Sequence, residues 1–131
     1  MEVNFKNEEH EKRFNELLER DRTADNDLER KSLFFIISGS DTLFINVNEL
    51  YSFKERNIHI EEFIKDNLDI DINNKKLLYL GFQLYNNFKF SYFDTDIKDY
   101  SILDILSYQA VEDYELCMNA INLRFNKKLN I

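Results

Sequence analysis

A chain of 131 residues, 44% hydrophobic and 15% aromatic, has the size of one domain with a real core and is too apolar for a disordered tail. Its formal charge of −8 opposes direct binding to nucleic acid and to anionic membrane surfaces, which demand Lys and Arg. It suits solubility, a basic protein partner or imitation of nucleic acid. The single Cys forms no internal disulfide, the start Met-Glu-Val-Asn-Phe-Lys lacks a signal-peptide pattern, and no apolar run approaches about 18 residues. A cytoplasmic protein that spans no membrane is therefore expected.

In chain order, Asn7 can cap a first helix, with Glu8 and Glu9 in its favourable first turn and His10, Phe14, Leu17 and Leu18 facing inward. The helix should end near Arg20, and Asp21 to Asp27 reads as a polar connection. Asn26 followed by Glu29 has capping-box spacing and predicts a second helix carrying Leu28, Phe35 and Ile36 inward to Gly39. The run Leu33-Phe34-Phe35-Ile36-Ile37 also fits a short buried strand, although the cap and the following Ser-Gly-Ser favour the helix. Asp41 can cap a third segment from Thr42 to Phe53, where Leu43, Val47, Leu50 and Tyr51 fit helical spacing and 42–48 also allows extended structure. Ile58 to Asn67 reads as a short amphipathic piece with Ile60, Phe63, Ile64 and Leu68 on one side.

The stretch from Asn73 to Phe88 is apolar around most of a helical circumference and predicts the central helix. Gly81 costs it about 1 kcal/mol relative to Ala, so another backbone is expected to cross close there. Lys89 to Ser101 is the longest irregular stretch, with a β-hairpin over 88–93 as its structured alternative. Ser101 with Asp104 can cap a short turn through Leu106, and Ser107 then opens the last helix. Val111, Tyr114, Cys117, Met118, Ile121 and Phe125 are expected to form its inward stripe, and Arg124, Lys127 and Lys128 suit its C-terminal end. Pro is absent and Gly occurs twice, so turns fall to Asn, Asp and Ser. The expected architecture is mainly α: a compact single domain over 1–131, with five to six helices bundled around the apolar helix at about 73–88.

The residues that could carry chemistry are few. Asp69-x-Asp71-x-Asn73-Asn74 begins like an EF-hand loop, but Leu80 stands at the twelfth position, where a bidentate Glu is needed. Asp94-x-Asp96-x-x-Asp99 has Lys98 among its carboxylates, which repels a cation. His59-x-Glu61 is not followed by Pro-Cys-x-x-Cys, so the zinc-deaminase signature is incomplete, and one Cys with two His cannot assemble a soft-ligand zinc site. His10 reads as a packed, hydrogen-bonded histidine and Cys117 as a small buried hydrophobe. Two glycines leave almost no backbone cradle for phosphate. No catalytic, cofactor or metal residue is assigned, and a non-enzyme is expected.

Five segments, in this order, carry a resemblance. They are Glu8-Glu9-His10-x-x-Arg13-Phe14, Glu29-Arg30-Lys31-Ser32-Leu33-Phe34-Phe35-Ile36-Ile37, Leu50-Tyr51-Ser52-Phe53, Leu80-Gly81-Phe82-Gln83-Leu84-Tyr85-Asn86-Asn87 and Ala120-Ile121-Asn122-Leu123-Arg124-Phe125. The chain resembles, over nearly its whole length, a family of short proteins of unknown function from Firmicutes and their phages. It departs where relatives carry Trp and Arg around the central helix; here Leu68 and Leu80 stand there. The resemblance transfers no functional residue and implies an accessory protein of a bacterium or its mobile elements.

The acidic-aromatic segment supplies the candidate interaction residues Phe90, Tyr92, Phe93, Asp94, Asp96, Asp99 and Tyr100, where carboxylates suit a basic partner and aromatic rings act as anchors. The expected function is an inhibitor or regulator of a host or competitor protein, including nucleic-acid enzymes. The alternatives are an immunity protein against a toxin, and a small enzyme or ligand-binding domain with a pocket beside the central helix near Tyr79, Tyr85 and His10. Self-association is the simplest remaining reading of the surface.

Overall fold

The computed structural model describes residues 3–61, 68–93, 97–107 and 109–126. Among these residues it is mainly helical, with seven α-helices and one two-stranded antiparallel hairpin. Helix α1 spans Glu8–Asp21, starting where the Asn7 side chain accepts the His10 N–H at 2.8 Å and ending where Arg22 turns left-handed. Helix α2 spans Leu28–Ser38. Its cap is Asp27 and not Asn26: Asp27 accepts the Arg30 N–H at 3.0 Å and also holds the Arg30 guanidinium at 2.9 Å. The run 33–37 is helical, and all five residues are fully buried. A helix apolar on every side needs neighbours on every side; α2 packs on α1 and on the helices Asp41–Ile45, Ile72–Asn86 and Val111–Phe125.

After α2 the chain departs from the single helix that the spacing predicts. Helix α3, Asp41–Ile45, is capped by Ser40, whose hydroxyl accepts the Leu43 N–H, and not by Asp41. The segment breaks at Asn46, whose side chain donates to the Thr42 carbonyl at 2.8 Å; α4, Val47–Leu50, follows. The chain then extends as β1, Tyr51–Ser52, and returns as β2, Asn57–Ile58, with Tyr51 opposite Ile58 and Ser52 opposite Asn57. The predicted helix to Phe53 therefore stops at Leu50. The reason is aromatic packing: Tyr51 and Phe53 wrap Phe34 at ring separations of 4.9 and 6.1 Å, which extended backbone allows and a continued helix would not. Of the amphipathic piece 58–67, Ile58 lies in β2 and residues 62–67 lie outside the described residues.

Helix α5, Ile72–Asn86, is the expected central helix, closed by Asn87 in the left-handed conformation. Leu77 to Phe82 form a continuous buried run. Gly81 is where α2 crosses: an added Cβ would lie 3.2 Å from Leu33 and 3.5 Å from Ile36, so side chains and not a bare backbone make the approach. The stretch after α5 holds a single 3₁₀ turn over Phe90–Tyr92, and the alternative of a hairpin at 88–93 is not formed. Helix α6, Ile102–Leu106, carries the Ser101/Asp104 capping box in full. Helix α7, Val111–Phe125, begins after Ala110; Ser107 closes α6 and does not open α7.

The inward face of α7 is rotated from the predicted one. Leu116, Cys117, Ala120 and Leu123 are buried, whereas Val111, Tyr114 and Phe125 are exposed. Of the predicted stripe the domain uses one edge, where Cys117 is buried and Ile121 packs against the core.

Candidate functional site

The segment after α5 is folded around Tyr79. Phe90 is fully buried, stacks on Tyr79 at 5.4 Å and meets Phe88 edge-on at 5.0 Å. Asp99 Oδ1 accepts two hydrogen bonds, from the Tyr79 hydroxyl at 2.9 Å and from the Phe90 N–H. Burial pushes the Asp99 pKa up, but hydrogen bonds from Ser91, Tyr79 and Phe90 outweigh it and hold the carboxyl below the usual range. Burial and the bond to Asp99 push the Tyr79 hydroxyl up. Tyr100 meets the Tyr79 ring edge-on at 5.5 Å.

Of the seven candidate interaction residues, Phe90, Asp99 and Tyr100 are thus drawn together as a clamp that ties residue 90 to residue 99. Phe90 belongs to the core and offers no surface. Tyr92 and Phe93 lie outside, 65% and 46% exposed, with Phe93 stacked on Phe88 at 5.4 Å. Asp94 and Asp96 lie outside the described residues. The pocket envisaged near Tyr79, Tyr85 and His10 is not assembled by these residues, because they serve three separate places. Tyr79 packs under the loop, Tyr85 lies under the Arg30 guanidinium and reaches Asn57, and His10 packs on Phe35.

His10 is buried, and both ring nitrogens are engaged. Nε2 lies 2.9 Å from the Phe35 carbonyl, which can only accept, and Nδ1 faces the Lys6 N–H at 3.0 Å, which can only donate. The ring is therefore the neutral Nε2–H tautomer. Burial lowers its pKa against the opposing Phe35 bond, and Lys6 lowers it further. A cleft of about 510 Å³ opens beside it, lined by Lys6, Arg13, Ser40, Asp41 and Asn74 among others. Its polar groups are turned on one another. Lys6 Nζ donates to the Gly39 carbonyl and pairs with Asp113, Arg13 pairs with Asp41, and the Ser40 hydroxyl donates to Asn74 at 2.6 Å.

Asn74 also donates to Asp71 at 2.6 Å, so the EF-hand-like residues serve the start of α5. His59 and Glu61 approach to 3.9 Å on the surface. Cys117 is buried, and burial pushes its thiol up to about 12.

One polar centre escaped the sequence reading. Asp21, at the end of α1, has a fully buried carboxylate. It accepts from Thr23 at 2.6 Å, from the Tyr51 hydroxyl at 2.7 Å and from Arg56 at 3.1 Å. Arg30 donates to the Tyr51 hydroxyl and to the Arg56 carbonyl, closing the ring of contacts. Burial raises the Asp21 pKa, yet the bonds from Arg56, Thr23 and Tyr51 leave it lowered. Thr23 follows the end of α1, and the other residues come from α2, β1 and the hairpin turn. The spacing places Tyr51 only on an apolar helix face, and no local pattern joins Asp21 to Arg30, Tyr51 and Arg56.

Fold and site together define a small mainly helical domain that uses its buried polar groups to hold itself together. The chain belongs to a family of unknown function, DUF6075, whose model matches residues 1–131. No curated protein and no solved structure matches it. No described helix is long and apolar enough to cross a membrane.

Proposed function

We propose that this protein acts without catalysis, by binding another protein, and that Tyr92 and Phe93, with the acidic residues that follow them in sequence, make the contact. The observation that carries this reading is the position of Tyr92 and Phe93: two exposed rings on a turn whose base is fixed by the buried Phe90 and by Asp99. Aromatic anchors held on a rigid base lose little freedom on binding, and such anchors dominate interface energetics. Asp94, Asp96 and the net charge of −8 favour a partner with a basic surface. The groups that could do chemistry are otherwise occupied: His10 by two hydrogen bonds, Cys117 by burial, Asp21 by its ring of donors. The reading is an intracellular inhibitor or regulator of a host or competitor protein. Basic nucleic-acid enzymes and toxins are both suitable targets.

Affinity capture from the native host with mass spectrometry tests it, using wild type beside a Tyr92→Ala/Phe93→Ala variant and an Asp94→Asn/Asp96→Asn variant. The expected result is a basic partner whose recovery falls at least about tenfold with the aromatic variant and measurably with the charge variant. No partner, or equal recovery by all three, overturns the reading.

A further inference from the structure

We infer that residues 3–6 form a strap latched by the His10 ring, and that a proton on that ring unlatches it. These residues belong to no helix or strand, and Asn7, the cap of α1, is the fixed point from which they leave. The Phe5 ring packs on His10, Phe14 and Phe35 at separations of 5.2, 5.5 and 5.7 Å. The Asn4 carbonyl accepts from Asn119 of α7 at 3.3 Å, and Lys6 Nζ reaches the Gly39 carbonyl and Asp113. The latch is the Lys6 N–H, which donates to His10 Nδ1 at 3.0 Å. Val3 lines a cavity of about 380 Å³ together with Phe14, Leu28 and Leu123, so unlatching opens that cavity and uncovers Phe14.

A protonated imidazole carries a hydrogen on both nitrogens. The Nε2 bond to the Phe35 carbonyl survives this change, but at Nδ1 two N–H groups then face each other. The ring is held by the Phe35 ring at 4.6 Å, by the Phe35 carbonyl and by Gly39, where an added Cβ would come within 3.2 Å of Nε2. The strap is therefore the side that yields. The charges around the ring come from every wall of the cleft. Lys6 on the strap opposes protonation. Glu9 of α1 and Asp41 of α3 pair with Arg13, Asp113 of α7 pairs with Lys6, and Glu112 stands exposed. Helix α2 supplies the Phe35 carbonyl and α5 the neutral Asn74. Burial first, then Lys6, hold the latched ring's pKa below 6.5 against the Phe35 bond, and a ring uncovered by the strap moves back toward 6.5. The open form thus binds the proton more tightly. Its population rises by about tenfold per pH unit as pH falls between the two values.

Nuclear magnetic resonance of the full chain, from about pH 7.5 down to about pH 5, tests the proposal above the range where ordinary carboxylates titrate. At the upper end, Overhauser contacts between Phe5 and His10 are expected, with the amides of residues 4–6 as rigid as those of α1. As pH falls, those contacts should fade and the strap amides loosen at the midpoint where the His10 ring takes up its proton, while α1 and α2 stay folded. His10→Asn places an oxygen acceptor near the position of Nδ1 and has no proton to gain, so its strap should stay latched throughout. Asp113→Asn removes the carboxylate on Lys6 and keeps the latch, so its strap should still open together with the ring. A strap that stays closed while the ring is protonated overturns the proposal, as does a strap and ring both unchanged at the acid end. Opening at a midpoint other than that of the ring, opening of His10→Asn as in wild type, or loss of the pH response in Asp113→Asn also overturns it. Simultaneous loss of the helices and the strap does the same. If His10→Asn does not fold, the shared or separate midpoints of wild type decide alone.

Discussion

At the scale of single residues, two buried ionisable groups are held in the charge state that their surroundings require. His10 is neutral because one nitrogen must donate and the other accept, and its pKa lies below 6.5. The unfolded chain therefore binds a proton at higher pH than the native one does. Stability is complete above pH 6.5 and is lost as pH falls through the native pKa. Thermal melts should show the midpoint declining as pH drops below 6.5, with that part of the decline absent in His10→Asn. Asp21 follows the same sign at lower pH, since its native pKa is also depressed. Asp21→Ala would leave the Arg56 guanidinium and the Tyr51 hydroxyl without their acceptor. Breaking a buried pair costs about 3–5 kcal/mol, and the 45% exposure of Arg56 reduces the expected loss to about 2–3 kcal/mol by urea denaturation. Arg56 adopts a left-handed backbone, φ 55°, at a cost of about 1–2 kcal/mol, and its side chain donates to Asp21 at 3.1 Å.

At the scale of elements, helix ends follow local chemistry and helix faces do not. The caps at Asn7, Asp27, Ser40 and Ser101 each accept an N–H from the first turn, and two of them, Asn7 and Ser101, were readable from spacing. The face of α7 was not readable, because its heptad stripe and its buried stripe are both apolar and lie side by side; only the position of α2 chooses between them. The glycine after α2 is set by the same docking. Gly39 has φ −86°, which any residue can adopt, but an added Cβ would fall 2.5 Å from the buried Leu116. Gly39→Ala should therefore destabilise by about 1–3 kcal/mol through overpacking of α2 against α7, measured by urea denaturation.

At the scale of the whole molecule, α2 and α5 form the centre and the other helices close over them, so the core is one contiguous cluster from Phe14 to Leu123. A single core predicts a single cooperative transition. Cys117 reports on it: the thiol is buried with its pKa at about 12. A thiol reagent such as DTNB should leave it unreacted in the native protein and titrate one thiol in denaturant, at midpoints that coincide with loss of helicity. Reaction of the native protein at neutral pH would show that α7 opens independently.

The sequence alone was sufficient for the helical class, the apolar helix near 73–88, the packed role of His10 and the burial of Cys117. Each rests on periodicity or residue type within one turn or two, where local chemistry decides. It pointed to the segment after α5 through its composition, but could not separate the ring that closes the core, Phe90, from the rings that face water, Tyr92 and Phe93. That choice, the Asp21 centre, the hairpin at 51–58 and the free face of α7 were decided only when distant elements met. A buried carboxylate, a strand of two residues or an uncovered stripe depends on partners tens of residues away, and the order of residues along the chain does not record which partners those will be.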